Sequence, residues 1–183
     1  MSTPLENVVG TLLEQQELIV DLAGFGEPPM PRPPVDATLL VRLEEWWVAT
    51  TGEPLPDSYR QFLLICDGIE NFSVSYSLFG ARDLLAPSYR SLLEQVLARG
   101  IGFDFDPLLP PIMVAYDPET TTRIFFEARH QRDVHDEPVV LEGDPGNLTL
   151  HQSFKTFLEA RVDANLFTMA KLKDVAEGRV EEE

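Results

Sequence analysis

Positive charge is scarce in this sequence. Only 14 of its 183 residues are Lys or Arg, against 31 Asp and Glu, so the formal net charge is −17 and the pI lies near 4.4. Phosphate backbones are held by clustered cations that release counterions on binding. The nearest thing to a cluster here is Lys171 with Lys173, inside an otherwise acidic tail. Nucleic-acid binding is therefore disfavoured, as is adhesion to an anionic membrane surface, whereas a basic protein partner suits the field. Cysteine is rarer still. A lone Cys66 forms no internal disulfide, which points to a reducing compartment. The opening Met1-Ser2-Thr3-Pro4-Leu5-Glu6 has no cationic region and soon turns acidic, unlike a secretory signal. No stretch approaches the roughly 18 uninterrupted apolar residues of a membrane span. The expectation is a soluble chain of the cytoplasm.

Catalytic signatures are missing as well. There is no Gly-x-Ser-x-Gly elbow, no Gly-rich phosphate loop and no His-Glu-x-x-His pair. His130, Asp133, His135, Asp136, Glu137 and the more distant His151 come closest to a metal set. They fall in a predicted polar loop without the rigid spacing that metal ligands need, and a solvated loop is the better reading. Cys66 falls on the apolar stripe of a predicted helix, where a cysteine is ordinarily core. No catalytic residue, metal or cofactor is assigned, and the chain is read as a non-enzyme.

What is present is a globular composition, 44% hydrophobic and 25% charged. A chain of this length buries about 70% of its extended surface without disulfide or metal support. Thr3-Pro4-Leu5-Glu6 reads as a capping box with Pro at the first helical position, and helical apolar spacing then continues to Gly24. Gly26 to Pro34 holds five prolines in nine residues, a stiff extended connector outside the core. Residues 1–34 thus form an appendage, either packed on the domain or used for assembly. The domain proper spans 35–176, with a frayed acidic tail over 177–183.

Within the domain, Asp36 caps a helix carrying Trp46 and Trp47 and ending near Gly52. Pro54 to Ser58 opens another, whose buried stripe is Tyr59, Phe62, Leu63 and Cys66, with a left-handed stop at Gly68. Phe72, Val74, Tyr76 and Leu78 alternate with serines, as one strand with one buried face. A further helix runs from Pro87 to about Gly100. Strands follow at 112–116 and 122–129, joined as a hairpin, and a short one at 139–141. The segment 143–147 reads as a turn, and a closing helix starts near Phe154. The pattern is α+β, a mostly antiparallel sheet with flanking helices.

Leu55-Pro56-Asp57-Ser58-Tyr59-Arg60-Gln61-Phe62-Leu63, closed by Asp67-Gly68, resembles the Leu-Pro-x-x-Tyr-x-x-Phe-Leu and Asn-Gly signature of the SUKH superfamily, the Smi/Knr-type domains. A preceding Trp-bearing helix, a helix near Leu84 and Leu85, Pro111-Ile112, Phe125-Phe126 and Ser153-Phe154-x-x-Phe157-Leu158 follow in the family's order over roughly residues 37–160. Asp67 stands where Asn is commoner, the 89–106 segment is longer than usual, and residues 1–34 lie outside the pattern. The signature residues Leu55, Pro56, Tyr59, Phe62, Leu63 and Gly68 have a structural job, filling a core and turning the chain. The resemblance implies a SUKH-like fold. It also implies protein binding, as in bacterial immunity proteins that neutralise a cognate toxin, often a nuclease, or in fungal regulators of cell-wall synthesis and signalling.

Between Asp104 and Asp144 there are ten carboxylates and three arginines. Phe103, Asp104, Phe105 and Asp106 interleave aromatics with acids, and Asp133, Asp136 and Glu137 cluster in one loop. On one sheet edge they would make an anionic surface for a basic toxin, although an acidic protein also has acidic loops for solubility alone. The expected partner-binding residues are therefore Trp47, Phe103, Asp104, Phe105, Asp106, Asp133, Asp136 and Glu137. Of the tandem tryptophans one belongs to the core, and the other to the core or to an interface. The alternative function is a regulatory scaffold that binds endogenous partners through the N-terminal helix.

Overall fold

In the computed structural model, residues 3–73, 76–99, 111–117, 122–127, 137–144 and 147–177 are described. Helix α1 (Pro4–Ala23) starts on the expected capping box. The Thr3 side chain accepts from the Glu6 N–H, and the Glu6 carboxylate accepts from the Thr3 N–H. Its apolar stripe, Leu5, Val9, Leu12 and Ile19, is buried. It lies against α6 (Phe154–Ala176), the long closing helix, and against α3 (Asp57–Ile65). The N-terminal helix is therefore packed on the domain, and its leucines belong to the same core as Phe62 and Phe157.

The proline-rich segment departs from expectation. Met30–Pro31 forms β1 and pairs antiparallel with β2 (Ile69–Ser73). The Arg32 N–H donates to the Gly68 carbonyl, the Asp67 N–H to the Pro33 carbonyl, and the Val35 N–H to the Leu63 carbonyl. Proline is tolerated because β1 is an edge strand, where an outward-facing backbone nitrogen has no ladder partner to lose. The connector is thus stitched to the sheet, with Val35 buried at its end.

Helix α2 (Ala37–Thr51) is capped by Asp36, whose Oδ1 accepts from the Leu39 N–H at 2.8 Å. The run expected as one strand over 72–78 is two: β2 turns back into β3 (Tyr76–Leu78), with Ser73 opposite Tyr76. Alternation marks a buried face but not a reversal of direction, so the sequence pattern missed the turn. Short α4 (Ala81–Leu84) and α5 (Pro87–Ala98) lead to β4 (Ile112–Tyr116) and β5 (Arg123–Phe126), which pair antiparallel as expected. β6 (Val140–Asp144) runs through the glycine of the predicted turn and pairs with an unexpected strand, β7 (Asn147–His151). Leu148 and Leu150 give β7 a two-residue period, masked in the sequence by the neighbouring Gly-Asp-Pro-Gly.

The result is an α+β fold with a seven-stranded antiparallel sheet in the order β1-β2-β3-β4-β5-β6-β7 and flanking helices. Strand neighbours in the sheet are neighbours in sequence. Helices pack on the sheet through aromatic rings. Tyr59 lies 4.9 Å from Phe154, 5.3 Å from Phe126 and 5.9 Å from Phe62, and Trp47 lies 5.3 Å from Phe126. No helix among the described residues is long and apolar enough to cross a membrane.

The Leu-Pro-x-x-Tyr-x-x-Phe-Leu run is the hub of this packing. Tyr59, Phe62 and Leu63 are fully buried, and the Tyr59 hydroxyl donates to the Phe79 carbonyl at 2.7 Å. Pro56 sits at the N-cap of α3 without a side-chain cap bond. The helix ends at Cys66 in extended backbone, and the left-handed turn comes two residues later at Gly68, with φ +90°. Between them Asp67 is wholly buried. Its Oδ1 accepts from the Ala81 N–H at the start of α4, its Oδ2 lies 3.3 Å from Arg82 Nε, and its backbone lies where a Cβ on Gly80 would stand. Burial pushes this carboxyl above the usual range, and the Ala81 N–H, Arg32 and Arg82 only partly pull it back.

Candidate protein-docking groove

Adjacent helical residues differ by about 100° in direction, and α2 uses that to send its two tryptophans to different places. Trp47 is 2% exposed and packs on Phe126 and Tyr59. Trp46 is only partly buried, stands edge-on to Tyr89 at 5.9 Å, and walls a groove of about 600 Å³ between α2, α4, α5 and the start of β4. Leu84, Leu93, Leu97, Pro111 and Ile112 complete its apolar lining, while Arg90 and Glu94 form a polar rim and pair at 3.0 Å. Tyr89 fixes the back wall. Its hydroxyl accepts from the Met113 N–H at 2.8 Å and faces the Met113 carbonyl at 3.1 Å, tying α5 to β4. A largely apolar concavity of this size with a polar margin is a usual form of binding site, and tryptophan is among the residues enriched at interface hot spots.

Two of the expected docking residues are elsewhere. Trp47 is core, and the neighbouring Trp46 is the ring that faces the groove. Glu137 is 9% exposed, and its carboxylate accepts from the Ser58 N–H at 2.6 Å and from the Ser58 hydroxyl at 2.5 Å. It caps α3 from 79 residues away, in the place Pro56 leaves without a side-chain acceptor. Neither is a free surface group. Phe103, Asp104, Phe105, Asp106, Asp133 and Asp136 lie outside the described residues, as do His130 and His135. Of the suspected metal set, Glu137 is engaged by Ser58, while His151 Nε2 lies 2.9 Å from Glu142 Oε2. Among the described residues no three His, Cys, Asp or Glu side chains converge as a metal site would need.

The polar cavity beside Ser58 and Glu137, about 330 Å³, lies where α1, α3 and α6 all begin, with Lys155 and Ser153 on its wall. The Ser58 hydroxyl already donates to the Glu137 carboxylate here, so the arrangement serves as a helix cap. Cys66 is buried, and burial, with Asp67 alongside, pushes its thiol up to about 12, so little thiolate exists at neutral pH.

Sequence reasoning also missed a buried charged cluster beneath α6. Glu142 is held by Arg161 as well as His151, and Arg161 lies over the Phe157 ring at 5.9 Å from its centroid. Its carboxylate is on a strand that the sequence pattern ends one residue earlier, so its inward direction was not legible. Compared with protein-family models, with curated proteins and with solved structures, the chain matches none. What fold and groove together define is an acidic α+β domain with a seven-stranded antiparallel sheet and one tryptophan-walled apolar cleft.

Proposed function

We propose that this chain is a non-catalytic protein-binding domain of the SUKH type, and that it acts as an immunity protein, neutralising a cognate basic toxin in the cytoplasm. The observation that carries the reading is Trp46, partly buried on the wall of a groove of about 600 Å³ on a chain whose net charge is −17. The groove offers an anchor pocket for an apolar or aromatic side chain of the partner. The acidic field brings a cationic partner in quickly and selects against acidic ones. A toxin that acts on nucleic acid carries a basic active-site surface, and an acidic inhibitor seated there occludes it.

The test is capture on the immobilised chain, in washes of about 50 mM and about 500 mM NaCl, where exposed charge pairs are weakly and strongly screened. The expected result is one stoichiometric basic protein, retained better at low salt, that arrests growth when expressed alone and is neutralised by the wild-type chain. Trp46→Ala should weaken that complex by about 30-fold or more while still folding cooperatively, its melting temperature lowered by only about 2–8 °C. Equal retention by Trp46→Ala removes the groove from the mechanism, and a non-toxic partner removes the immunity reading.

The alternative, a scaffold that binds endogenous partners through the N-terminal helix, must use the outer face of α1, where Glu14, Glu17 and Asp21 are exposed. Deleting residues 1–34 cannot separate the two readings, because it also removes Leu5, Val9, Leu12 and β1 from the fold. Charge reversal at Glu14, Glu17 and Asp21 does separate them: it abolishes binding by the scaffold and spares binding at the groove.

A further inference from the structure

The two edges of the sheet are built differently. β1 is two residues long and contains a proline, so it offers an incoming strand almost nothing to pair with. β7 is five residues, Asn147-Leu148-Thr149-Leu150-His151, with residues 147–150 exposed. It pairs on one side with β6, and among the described residues nothing pairs on the other. Native sheets protect such an edge with lysine, proline, a bulge or very short length. This strand is regularly paired along its whole length and has no Lys, Arg, Asp or Glu, and its one titratable residue, His151, is buried against Glu142. Its two leucines are 42% and 50% exposed.

We infer that β7 is an interface for a second copy of this chain, paired antiparallel about a two-fold axis through Thr149. The strand is self-complementary by side-chain class. In that register Leu148 opposes Leu150 of the second copy, Leu150 opposes Leu148 of the second copy, and Asn147 opposes His151 of the second copy. Directly opposed residues share a face of the sheet. Leu150 already lies opposite Leu141 of β6, and Leu148 opposite Gly143. The two leucine pairs therefore lie on one face of the joined sheet, each continuing a row that starts at Leu141 of one copy. The contact is isologous, so it closes at two copies and, among the described residues, leaves the two proline-bearing β1 edges as the free edges of the sheet, which stops growth into a fibre.

Area and charge set its strength. A five-residue strand spans about 17 Å, and pairing two of them buries less than the roughly 1,200 Å² of a standard stable interface. Two copies at −17 also repel through their overall field, although the strand itself holds no Lys, Arg, Asp or Glu. The dimer is thus weak, with a dissociation constant on the order of 10–100 µM. Added salt should tighten it, because screening removes the repulsion and leaves the backbone and leucine contacts. That is the opposite salt response from a basic partner in the Trp46 groove, so failure of one proposal is distinguishable from failure of the other.

The experiment is sedimentation velocity on the full chain up to about 500 µM, at about 50 mM and about 500 mM NaCl. The expected outcome is a concentration-dependent dimer, at least threefold tighter at the higher salt. Leu148→Lys with Leu150→Lys should leave a monomer with an unchanged circular dichroism spectrum. Because that variant changes the strand itself, a second test reads the register. Opposed Cα atoms on the axis lie about 4.5–5.5 Å apart, within disulfide reach. Thr149→Cys should therefore oxidise to a covalent dimer, and Asn147→Cys, four residues out of register with its own copy, should not. Native Cys66 is buried and leaves the readout clean. A chain monomeric at both salts, a dimer weakened by salt, a dimer indifferent to the lysines, or equal cross-linking at 147 and 149 overturns the inference.

Discussion

Replacing Glu137 by Ala tests whether a carboxylate from the acidic loop region is a docking group or part of the fold. The Glu137 side chain accepts two hydrogen bonds from one residue, the Ser58 N–H and hydroxyl. Both are charge-assisted, and each such bond contributes about 1.5–3 kcal/mol. The adjoining cavity of about 330 Å³ lets water reach the Ser58 donors once the carboxylate is gone, which returns part of that loss. The bond to the Ser58 N–H is itself the side-chain cap of α3, so its loss is already included in that sum. Together these place the destabilisation at about 2–4 kcal/mol. With a urea m-value of about 2 kcal/mol/M, the unfolding midpoint falls by about 1–2 M at unchanged m. Ser58→Ala, which removes the hydroxyl but keeps the N–H, should cost about half as much. The double variant should cost clearly less than the sum, because both changes remove the same bond. A Glu137→Ala midpoint within about 0.2 M of wild type would falsify the cap and return Glu137 to the list of surface acids. A loss of function on charge reversal at Glu137 would therefore report unfolding unless stability is measured beside it.

Two further outcomes follow from the same packing. Trp47→Ala should lose about 3–5 kcal/mol, against about 1–2 kcal/mol for Trp46→Ala, because only the first is fully enclosed; thermal melts of the pair in parallel check the order. Asp67→Asn keeps an acceptor for the Ala81 N–H and removes a buried charge. Because burial raises the folded Asp67 carboxyl above its unfolded value of about 3.9, the fold holds that proton more tightly than the unfolded chain does. Its contribution to stability is therefore lost as pH rises through that window. Asn has no such loss, so the stability of Asp67→Asn relative to wild type should be higher at about pH 7 than at about pH 3.5. A difference that does not change with pH would show that the Asp67 carboxyl is not held above its usual range.

Much of the fold was legible because its signals are local. Thr3, Asp36 and Ser153 each precede a helix and each caps it. The helical spacing of Leu5, Val9 and Leu12, or of Phe154, Phe157 and Leu158, marks one face. What the sequence pattern missed is what the chain does at a distance or without changing period. The strict alternation from Phe72 to Leu78 is the same whether the strand continues or doubles back, so a hairpin passed for a strand. The prolines before Val35 carry a true preference for extended backbone, yet nothing local says that Gly68 and Leu63 will supply its hydrogen-bond partners.

The site was half legible for a related reason. Adjacent tryptophans on one helix cannot both face the same way, and that much follows from helical geometry alone. Which of the two turns inward depends on where Phe126 and Tyr59 arrive, and those come from β5 and α3. The register of α2 had to be known before Trp46 could be preferred to Trp47. Glu137 makes the same point from the electrostatic side. In a chain this acidic, one more loop carboxylate looks like surface charge. Only the missing side-chain cap at Pro56, read together with a serine at the second position of α3, marks a place where a distant acid is required. Helix register decides which tryptophan is core and which faces the groove, and the role of each carboxylate is settled one hydrogen bond at a time.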